Sequence, residues 1–234
     1  APLHIPPILL LGPPGVGKTH YAMDLAEAMD LPIRVQSMEN VQSPALFLGT
    51  ERHWSTSAPG LVFEHVLLGD VANPIILADE IDKCKGAHYE PINAFHTLLE
   101  SRTAAAVRDA GLDMPFDASL VFYIATANDL RAIPATIQTR FKIFSILPPT
   151  GAEALDLAQL VVTRALRSLE VTEFALPTRS LTRRLAHLTA REITRGVQDA
   201  VAAARAAGRR HLELWDFAAD LLDDDGAHPA RRLH

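Results

Sequence analysis

The sequence predicts a doubly wound α/β domain with a five-stranded parallel sheet, followed by a smaller all-helical domain. A glycine-rich loop stands between an apolar run and a helical pattern near the start of the chain, and further apolar runs recur through the first 148 residues. Uninterrupted apolar runs that alternate with helical patterns are typical of a parallel sheet buried on both faces. From residue 149 onward every pattern is helical. We therefore place the domain boundary there, with domains 1–148 and 149–234.

We predict five strands in the first domain. They cover residues 8–11, 33–37, 75–78, 120–125 and 141–147. Helical periodicity predicts helices after residue 18 and over 61–68, 90–102 and 133–139. Residues 41–60 have the composition of a loop region with one short helix, and residues 103–118 form a looser segment that contains Gly111 and Pro115.

The second domain is predicted to hold four helices, over 152–169, 180–188, 191–207 and 213–222. Thr150 and Thr189 stand immediately before two of them. Threonine often caps a helix by accepting a hydrogen bond from a backbone N–H of the first turn. We expect both threonines to act as N-caps.

The strongest chemical signal is the loop between the first strand and the first helix. It reads Gly-Pro-Pro-Gly-Val-Gly-Lys-Thr and matches the phosphate-binding pattern G-x-x-x-x-G-K-[ST]. Backbone N–H groups of such a loop point at phosphate oxygens, and the N-terminus of the following helix adds partial positive charge. The residues predicted to cradle the phosphates of ATP or ADP are Gly12, Pro13, Pro14, Gly15, Val16 and Gly17.

The last two residues of the motif have separate predicted roles. Lys18 is expected to reach the β- and γ-phosphates, and Thr19 to offer its hydroxyl to Mg²⁺. A glycine-rich turn with an incidental lysine is the alternative. The strand before the loop and the helix after it favour a nucleotide site.

A second signal is the apolar run that ends in Asp79 and Glu80. Open α/β sheets bind ligands at the carboxyl ends of their strands, so this pair is expected beside the loop. Asp79 is predicted to hold Mg²⁺, and Glu80 to polarise the water that attacks the γ-phosphate. A solvated acidic turn is the alternative.

The next apolar run ends in Asn128, which could orient the same water, although asparagine is also an ordinary turn residue.

Composition limits the other classes of function. The net charge of −6 comes from the first 150 residues, which hold 10 Lys and Arg against 16 Asp and Glu. A nucleic-acid-binding protein usually shows a basic excess, so a nucleic-acid partner is not expected. The single cysteine, Cys84, fits a reducing compartment, and no apolar run approaches the length of a membrane span. We predict a cytoplasmic protein without a membrane partner.

Taken in order, these motifs resemble an AAA+ ATPase over nearly the whole chain. Within that class the sequence is most similar to the ATPase module of Lon proteases. The similarity rests on the phosphate loop and on Pro59-Gly60, Asn73-Pro74, residues 79–83, Pro115-Phe116-Asp117 and residues 124–128.

The resemblance implies further roles for individual residues. Asn128 would be sensor 1, Arg140 the arginine finger inserted into a neighbouring subunit's site, and Arg191 sensor 2, with Arg195 as its rival. For each arginine a surface salt bridge is the alternative. The resemblance also implies Mg²⁺-dependent ATP hydrolysis by a ring, expected to be a hexamer, that unfolds or remodels client proteins.

Two departures from the Lon pattern concern the protease and the pore. Lon proteases carry a Ser–Lys dyad after the helical lid, whereas the last lysine here is Lys142. The aromatic pore loop of Lon proteases precedes Pro59-Gly60, and here Trp54 replaces the usual tyrosine. Trp54 is expected to grip an extended polypeptide, the alternative being an indole folded back on its own domain. Three prolines in the first seven residues lead directly into the first strand, which is typical of a piece excised from a longer protein.

Three functions follow from these observations. The first is an ATP-driven protein unfoldase or remodelling ring. The second is a nucleic-acid remodeller of the same superfamily, such as a helicase loader, which the acidic first domain disfavours. The third is a nucleotide-gated scaffold with little turnover, which the complete set of predicted catalytic residues disfavours.

Overall fold

The computed structural model describes residues 5–51, 53, 57–84 and 90–222. The strands within them are β1 (Ile8–Leu11), β2 (Ile33–Ser37), β3 (Ile75–Asp79), β4 (Val107–Asp109), β5 (Met114–Phe116), β6 (Phe122–Ala127) and β7 (Lys142–Ser145). Five of them form one sheet in the order β2-β3-β6-β1-β7, and every neighbouring pair is parallel. The predicted five-stranded parallel sheet is confirmed.

The apolar runs lack alternation because both faces of the central strands are buried. Leu9 and Ile76 belong to the core on one face of the sheet, where Phe95 also packs. Leu10 and Leu77 belong to the core on the other face. All four aliphatic side chains have almost no solvent exposure. A strand with two buried faces gains stability from apolar residues at every position.

The helices of the same unit are α1 (Lys18–Ala28), α2 (Ala45–Leu48), α3 (Leu61–Leu67), α4 (Ala94–Leu98), α5 (Ser101–Ala104) and α6 (Ala135–Gln138). The helix predicted over 90–102 is wrong as a single element. A 3₁₀ turn over Pro91–Asn93 precedes α4, and Glu100 is extended, with φ −104° and ψ 117°, between α4 and α5.

The segment predicted to be loose, residues 103–118, contains the antiparallel hairpin of β4 and β5. Each strand has only three residues, which is too short to show a strand period in the sequence. Pro115 is tolerated because a two-stranded hairpin leaves each strand with a free edge.

By their contacts the described residues divide into two compact units, 5–12 with 18–146 and 13–17 with 147–222. The helices of the second unit are α7 (Gly151–Ser168), α8 (Arg179–Leu185), α9 (Ala190–Ala206) and α10 (Ala219–Leu222). Val162, Leu185 and Val197 are fully buried in the core that α7, α8 and α9 share. The predicted all-helical portion is therefore present. None of the described helices is long and apolar enough to cross a membrane.

Two threonines were predicted to cap helices of this unit, and the structure confirms one of them and contradicts the other. Thr189 accepts the N–H of Glu192, whose side chain bonds back to the N–H of Thr189, so this cap is confirmed. Thr150 makes no side-chain capping bond. Gly151, at φ +54°, starts the helix irregularly, and the Glu153 N–H donates to the Thr150 carbonyl oxygen instead of the hydroxyl.

The helix predicted over 213–222 is also interrupted. A 3₁₀ turn over Leu214–Asp216 ends at Phe217, which is extended, and α10 follows. The buried Asp216 carboxylate binds the N–H of Glu213 and both terminal nitrogens of Arg209. These bonds fix a turn where the sequence pattern predicts a helix.

Candidate functional site

The carboxyl ends of β1, β3 and β6 meet at one edge of the sheet. Leu11 pairs with Ala127 in the sheet register, which brings Gly12 next to Asn128. Lys18, the first residue of α1, donates through Nζ to the Gly12 carbonyl oxygen at 2.7 Å and to Asn128 Oδ1 at 2.8 Å. Asn128, 110 positions from Lys18 in the sequence, is therefore in direct contact with the lysine of the phosphate loop.

The Lys18 ammonium occupies a shielded, acidic environment. The residue is only 7% exposed, and this burial lowers the pKa of its ammonium. The negative charges of Asp82, Asp79 and Glu80 act in the opposite direction, and Asp82 has the largest effect of the three. Burial strengthens the interaction of a lysine with any anion that reaches it, because water screens the charge less.

The Asp79 carboxylate joins the end of β3 to α1 and to β6. Its Oδ1 atom accepts from the Thr19 hydroxyl at 2.9 Å and from the Thr126 hydroxyl at 2.6 Å. Thr126 is 1% exposed and lies on β6 directly beside the end of β3. Two hydroxyl groups therefore fix the orientation of one carboxylate.

Glu80 is held by its backbone and by its side chain. Its N–H donates to Thr126 Oγ1 at 2.8 Å, and its φ of +58° lies in the left-handed region that non-glycine residues rarely adopt. Its Oε2 atom accepts from Lys83 Nζ at 2.7 Å, in an ion pair whose side chains are partly exposed. Asp30, Asp113 and Glu170 adopt the same conformation in turns elsewhere in the described chain, so this geometry alone does not identify a functional site.

Asp82 connects the turn after β3 with the turn after β6. Its Oδ2 atom accepts the N–H of Asn128 at 3.0 Å and the N–H of Asp129 at 3.1 Å. Its Oδ1 atom is buried and has no hydrogen-bond partner within the described part of the chain. This carboxylate therefore contacts the backbone of the residue whose side chain binds Lys18.

The loop of residues 13–17 belongs to the second unit and has two glycines in left-handed conformations. Gly15 has φ +82° and Gly17 has φ +92°, which a residue with a Cβ atom adopts only with strain. Pro13, Pro14, Gly15 and Val16 line a cavity of about 660 Å³ together with α7 and α9 residues of that unit. Cavities of ~300–1,000 Å³ are the size that small-molecule ligands occupy.

Arg140 lies between α6 and β7 and is 27% exposed at its side chain. Its Nη2 atom is 3.4 Å from Glu100 Oε2, and its Nη1 atom is 3.5 Å from the Thr136 carbonyl oxygen. The Nε atom is buried without a hydrogen-bond partner among the described residues. Both of these contacts are long, so they hold the guanidinium only weakly.

Three further residues were predicted from the resemblance to a family, two of them in the second unit. Arg191 and Arg195 are exposed, one helical turn apart in the N-terminal half of α9. Trp54 lies outside the described residues.

Sequence reasoning did not assign roles to Thr126, Asp82 or Lys83, although all three contact predicted site residues. A threonine that ends an apolar strand, and a third acidic residue after Asp79 and Glu80, were the available signals. Neither signal identifies a partner, because the Thr126 and Asp82 bonds join residues that are 46 or 47 positions apart.

The parallel sheet, the loop after β1 and the helical second unit define a P-loop fold with a helical lid of the AAA+ type. Residues 8–149 match the ATPase family associated with various cellular activities (AAA), and this match covers more than half of the chain. The chain belongs to that family.

The individual proteins to which the chain is similar include the Lon proteases of several bacteria. The chain is 32% identical over 169 residues to the Lon protease of Paraburkholderia phytofirmans, which is 71% of this chain and 21% of that protein. It is 35% identical over 153 residues to the Lon protease of Fusobacterium nucleatum (65% and 20%). It is 30% identical over 202 residues to that of Mycoplasma mobile (85% and 24%). The similarity to Lon proteases is confirmed, and the chain spans about a fifth of the length of these relatives.

Proposed function

We propose that this AAA-family chain binds ATP with Mg²⁺, hydrolyses it to ADP and phosphate, and works as one subunit of a ring, expected to be a hexamer, that unfolds or remodels proteins. One observation supports the nucleotide chemistry above all others. At the carboxyl edge of the sheet Lys18 binds the Asn128 amide, and the next residue, Thr19, binds the Asp79 carboxylate, which also accepts from Thr126.

In this proposal Lys18 binds the β- and γ-phosphates. Two of the atoms it binds are neutral oxygen acceptors, the Gly12 carbonyl oxygen and the Asn128 amide oxygen. A phosphate oxygen carries more negative charge than either, so it competes favourably for the ammonium. The backbone of residues 13–17 would surround the phosphates.

The residues present also fit Mg²⁺. The Thr19 hydroxyl and the Asp79 carboxylate are in contact, and both are oxygen donors of the kind this hard cation prefers. The described residues contain no group of three or more His, Cys, Asp or Glu side chains that could hold a metal alone. Mg²⁺ commonly completes its coordination with substrate phosphates and water, so it would enter with the nucleotide and neutralise phosphate charge.

Glu80 is proposed as the general base for the attacking water. Its Oε2 atom is bound to Lys83 at 2.7 Å, and a carboxylate has a second oxygen, Oε1, that can accept the proton from the water. Asn128 would orient that water or the γ-phosphate. Arg140 would enter the neighbouring subunit's site as an arginine finger, and Arg191, or Arg195 in its place, would contact the γ-phosphate from the helical unit.

A protein client is proposed ahead of the other two functions. The support is the similarity to Lon proteases over 65–85% of this chain and the acidic character of residues 1–150. The alternatives, a helicase loader and a nucleotide-gated scaffold, each predict a different result in the test that follows.

The test measures ATP binding and ATP turnover on the purified chain. Lys18→Ala should abolish ATP binding, whereas the matched control Lys142→Ala, which changes an exposed lysine on the edge strand β7, should bind normally. Unchanged ATP affinity in Lys18→Ala would overturn the nucleotide site. Turnover that rises with an unfolded protein supports a client protein, a rise with DNA alone supports a nucleic-acid remodeller, and binding without turnover supports a scaffold.

A further inference from the structure

The turn after β6 is held by a carboxylate from another strand. Asp82 lies in the 3₁₀ turn Ile81–Lys83 that follows β3, and its Oδ2 atom accepts two successive backbone N–H groups, those of Asn128 and Asp129. Charged acceptors make stronger hydrogen bonds than neutral ones, and two donors on one oxygen fix the direction of the backbone at residue 128.

The same backbone segment carries the side chain that binds Lys18. The Asn128 Oδ1 atom accepts from Lys18 Nζ at 2.8 Å, so its position depends on the dihedral angles of a residue whose N–H is held by Asp82. A continuous path therefore runs from the Asp82 carboxylate through the Asn128 backbone to the Asn128 amide and the Lys18 ammonium.

We propose that Asp82 is a positioning residue for ATP hydrolysis, which fixes the turn at residues 128 and 129 so that the Asn128 amide faces the γ-phosphate. This inference rests on the proposed function. Asp82 acts through Asn128 and makes no contact with nucleotide itself. Its effect is therefore on turnover and much less on ATP affinity.

A competing explanation is purely electrostatic, because the Asp82 charge also stabilises the Lys18 ammonium. The two explanations predict different results for asparagine. Asp82→Asn keeps one oxygen that can accept both N–H groups, but it removes the negative charge. Asp82→Ala removes both. If Asp82 positions the turn, asparagine should preserve function, and if its charge is what matters, asparagine should behave as alanine does.

The experiment compares Asp82→Ala, Asp82→Asn, Asn128→Ala and the double variant of the two alanine changes, by steady-state ATPase and by equilibrium ATP binding. Asp82→Ala should lower kcat by about tenfold or more, the scale of a lost hydrogen bond to a charged group, with ATP affinity within about threefold of wild type. Asp82→Asn should stay within about threefold of wild-type kcat. The double variant should be no slower than Asn128→Ala, because residues that act through one path are not additive.

Asp117→Ala is the matched control, since Asp117 also accepts a backbone N–H, that of Ser119, in an exposed turn. It should leave ATPase unchanged. The proposal is overturned if Asp82→Asn is as slow as Asp82→Ala, if the effects of Asp82→Ala and Asn128→Ala multiply, or if Asp82→Ala loses ATP binding.

A second measurement does not depend on turnover. The backbone amide protons of Asn128 and Asp129, followed by NMR, should exchange with solvent about tenfold faster or more in Asp82→Ala and at the wild-type rate in Asp117→Ala. Unchanged exchange at both amides would overturn the proposal even if the chain hydrolyses ATP. Absence of ATP turnover in the wild-type chain, with faster exchange in Asp82→Ala, would contradict the proposed function and leave the role of Asp82 in the turn intact.

Discussion

Thr126 offers the sharpest test of how the candidate site is assembled, because one hydroxyl group serves both acidic residues. It donates to Asp79 Oδ1 at 2.6 Å and accepts the Glu80 N–H at 2.8 Å, in a residue that is 1% exposed. Thr126→Val keeps the shape of the side chain and removes only these two bonds. A lost bond to a charged group and an unpaired buried N–H together cost roughly 2–4 kcal/mol.

For a chain of this size, that loss lowers the thermal midpoint by roughly 5–15 °C. Circular dichroism on wild type and Thr126→Val measures the shift. Thr126→Ser is the matched control, since it keeps the hydroxyl and should lie much closer to wild type. Turnover of ATP should fall in Thr126→Val, because both carboxylate residues lose a fixed orientation. A Thr126→Val protein that melts and hydrolyses ATP as wild type does would refute this account of the site.

Three further outcomes follow from the structure. Tyr123→Phe should stabilise the chain by about 1 kcal/mol, because the fully buried hydroxyl has no hydrogen-bond partner in the described part of the chain. Arg209→Ala should lower the thermal midpoint at neutral pH, because it leaves the buried Asp216 carboxylate without its bidentate partner. Neither Arg140→Ala nor Lys18→Ala should turn over ATP alone, and mixing them should restore part of the activity, since an intact Lys18 site can then face an intact Arg140.

The first two of these outcomes have a pH dependence with a defined sign. Burial raises the pKa of Tyr123, so stability is lost as the pH rises above about 10, where the unfolded chain ionises, and the advantage of Tyr123→Phe should grow there. Arg209 lowers the pKa of Asp216. The stabilisation from that pair is complete above the unfolded pKa, near 4, and is lost as the pH falls through the lower folded pKa. The difference between wild type and Arg209→Ala should therefore shrink below about pH 4.

Each of these outcomes has a result that would contradict it. A destabilised Tyr123→Phe would mean that the hydroxyl has a partner, and the exposed Tyr21→Phe should change little in the same assay. An Arg209→Ala defect that persists unchanged at low pH would exclude the ion pair as its cause. Activity that survives Arg140→Ala and does not depend on protein concentration would contradict an arginine finger.

The sequence predicted the sheet well because its three central strands, β1, β3 and β6, are buried on both faces. β1 and β2 have the bounds that the sequence predicted. β1 is buried on both faces, whereas β2 is an edge strand with polar residues and is only partly buried. β6 begins two residues later than predicted. The run contains no polar residue that would show where pairing with β3 starts.

The sequence did not predict the elements that are held by hydrogen bonds to one buried carboxylate. The hairpin of β4 and β5 is held in part by Asp109, a fully buried carboxylate that accepts the N–H groups of Gly60 and Leu112. The turn at Asp216 depends likewise on Arg209. A single sequence shows the acidic residue in each case, but not the donor that the fold brings to it.

The residues of the candidate site likewise fall into two groups, those that the sequence identified and those that it did not. Lys18, Asp79, Glu80 and Asn128 could be chosen from the sequence because each stands at the end of a strand or at the start of the first helix, and the ends of parallel strands meet at one edge. Their roles stay predictions. The supporting contacts from Thr126 and Asp82 depend on the register between β3 and β6, which an apolar run does not encode.

The most direct test of the central proposal separates ATP binding from ATP hydrolysis at one residue. Glu80→Gln keeps the size of the side chain but removes the carboxylate that would accept a proton from water. The proposal predicts ATP affinity close to wild type, with turnover lower by a factor on the order of 100 or more, the scale of general-base catalysis. Hydrolysis of ATP by Glu80→Gln at the wild-type rate would contradict it.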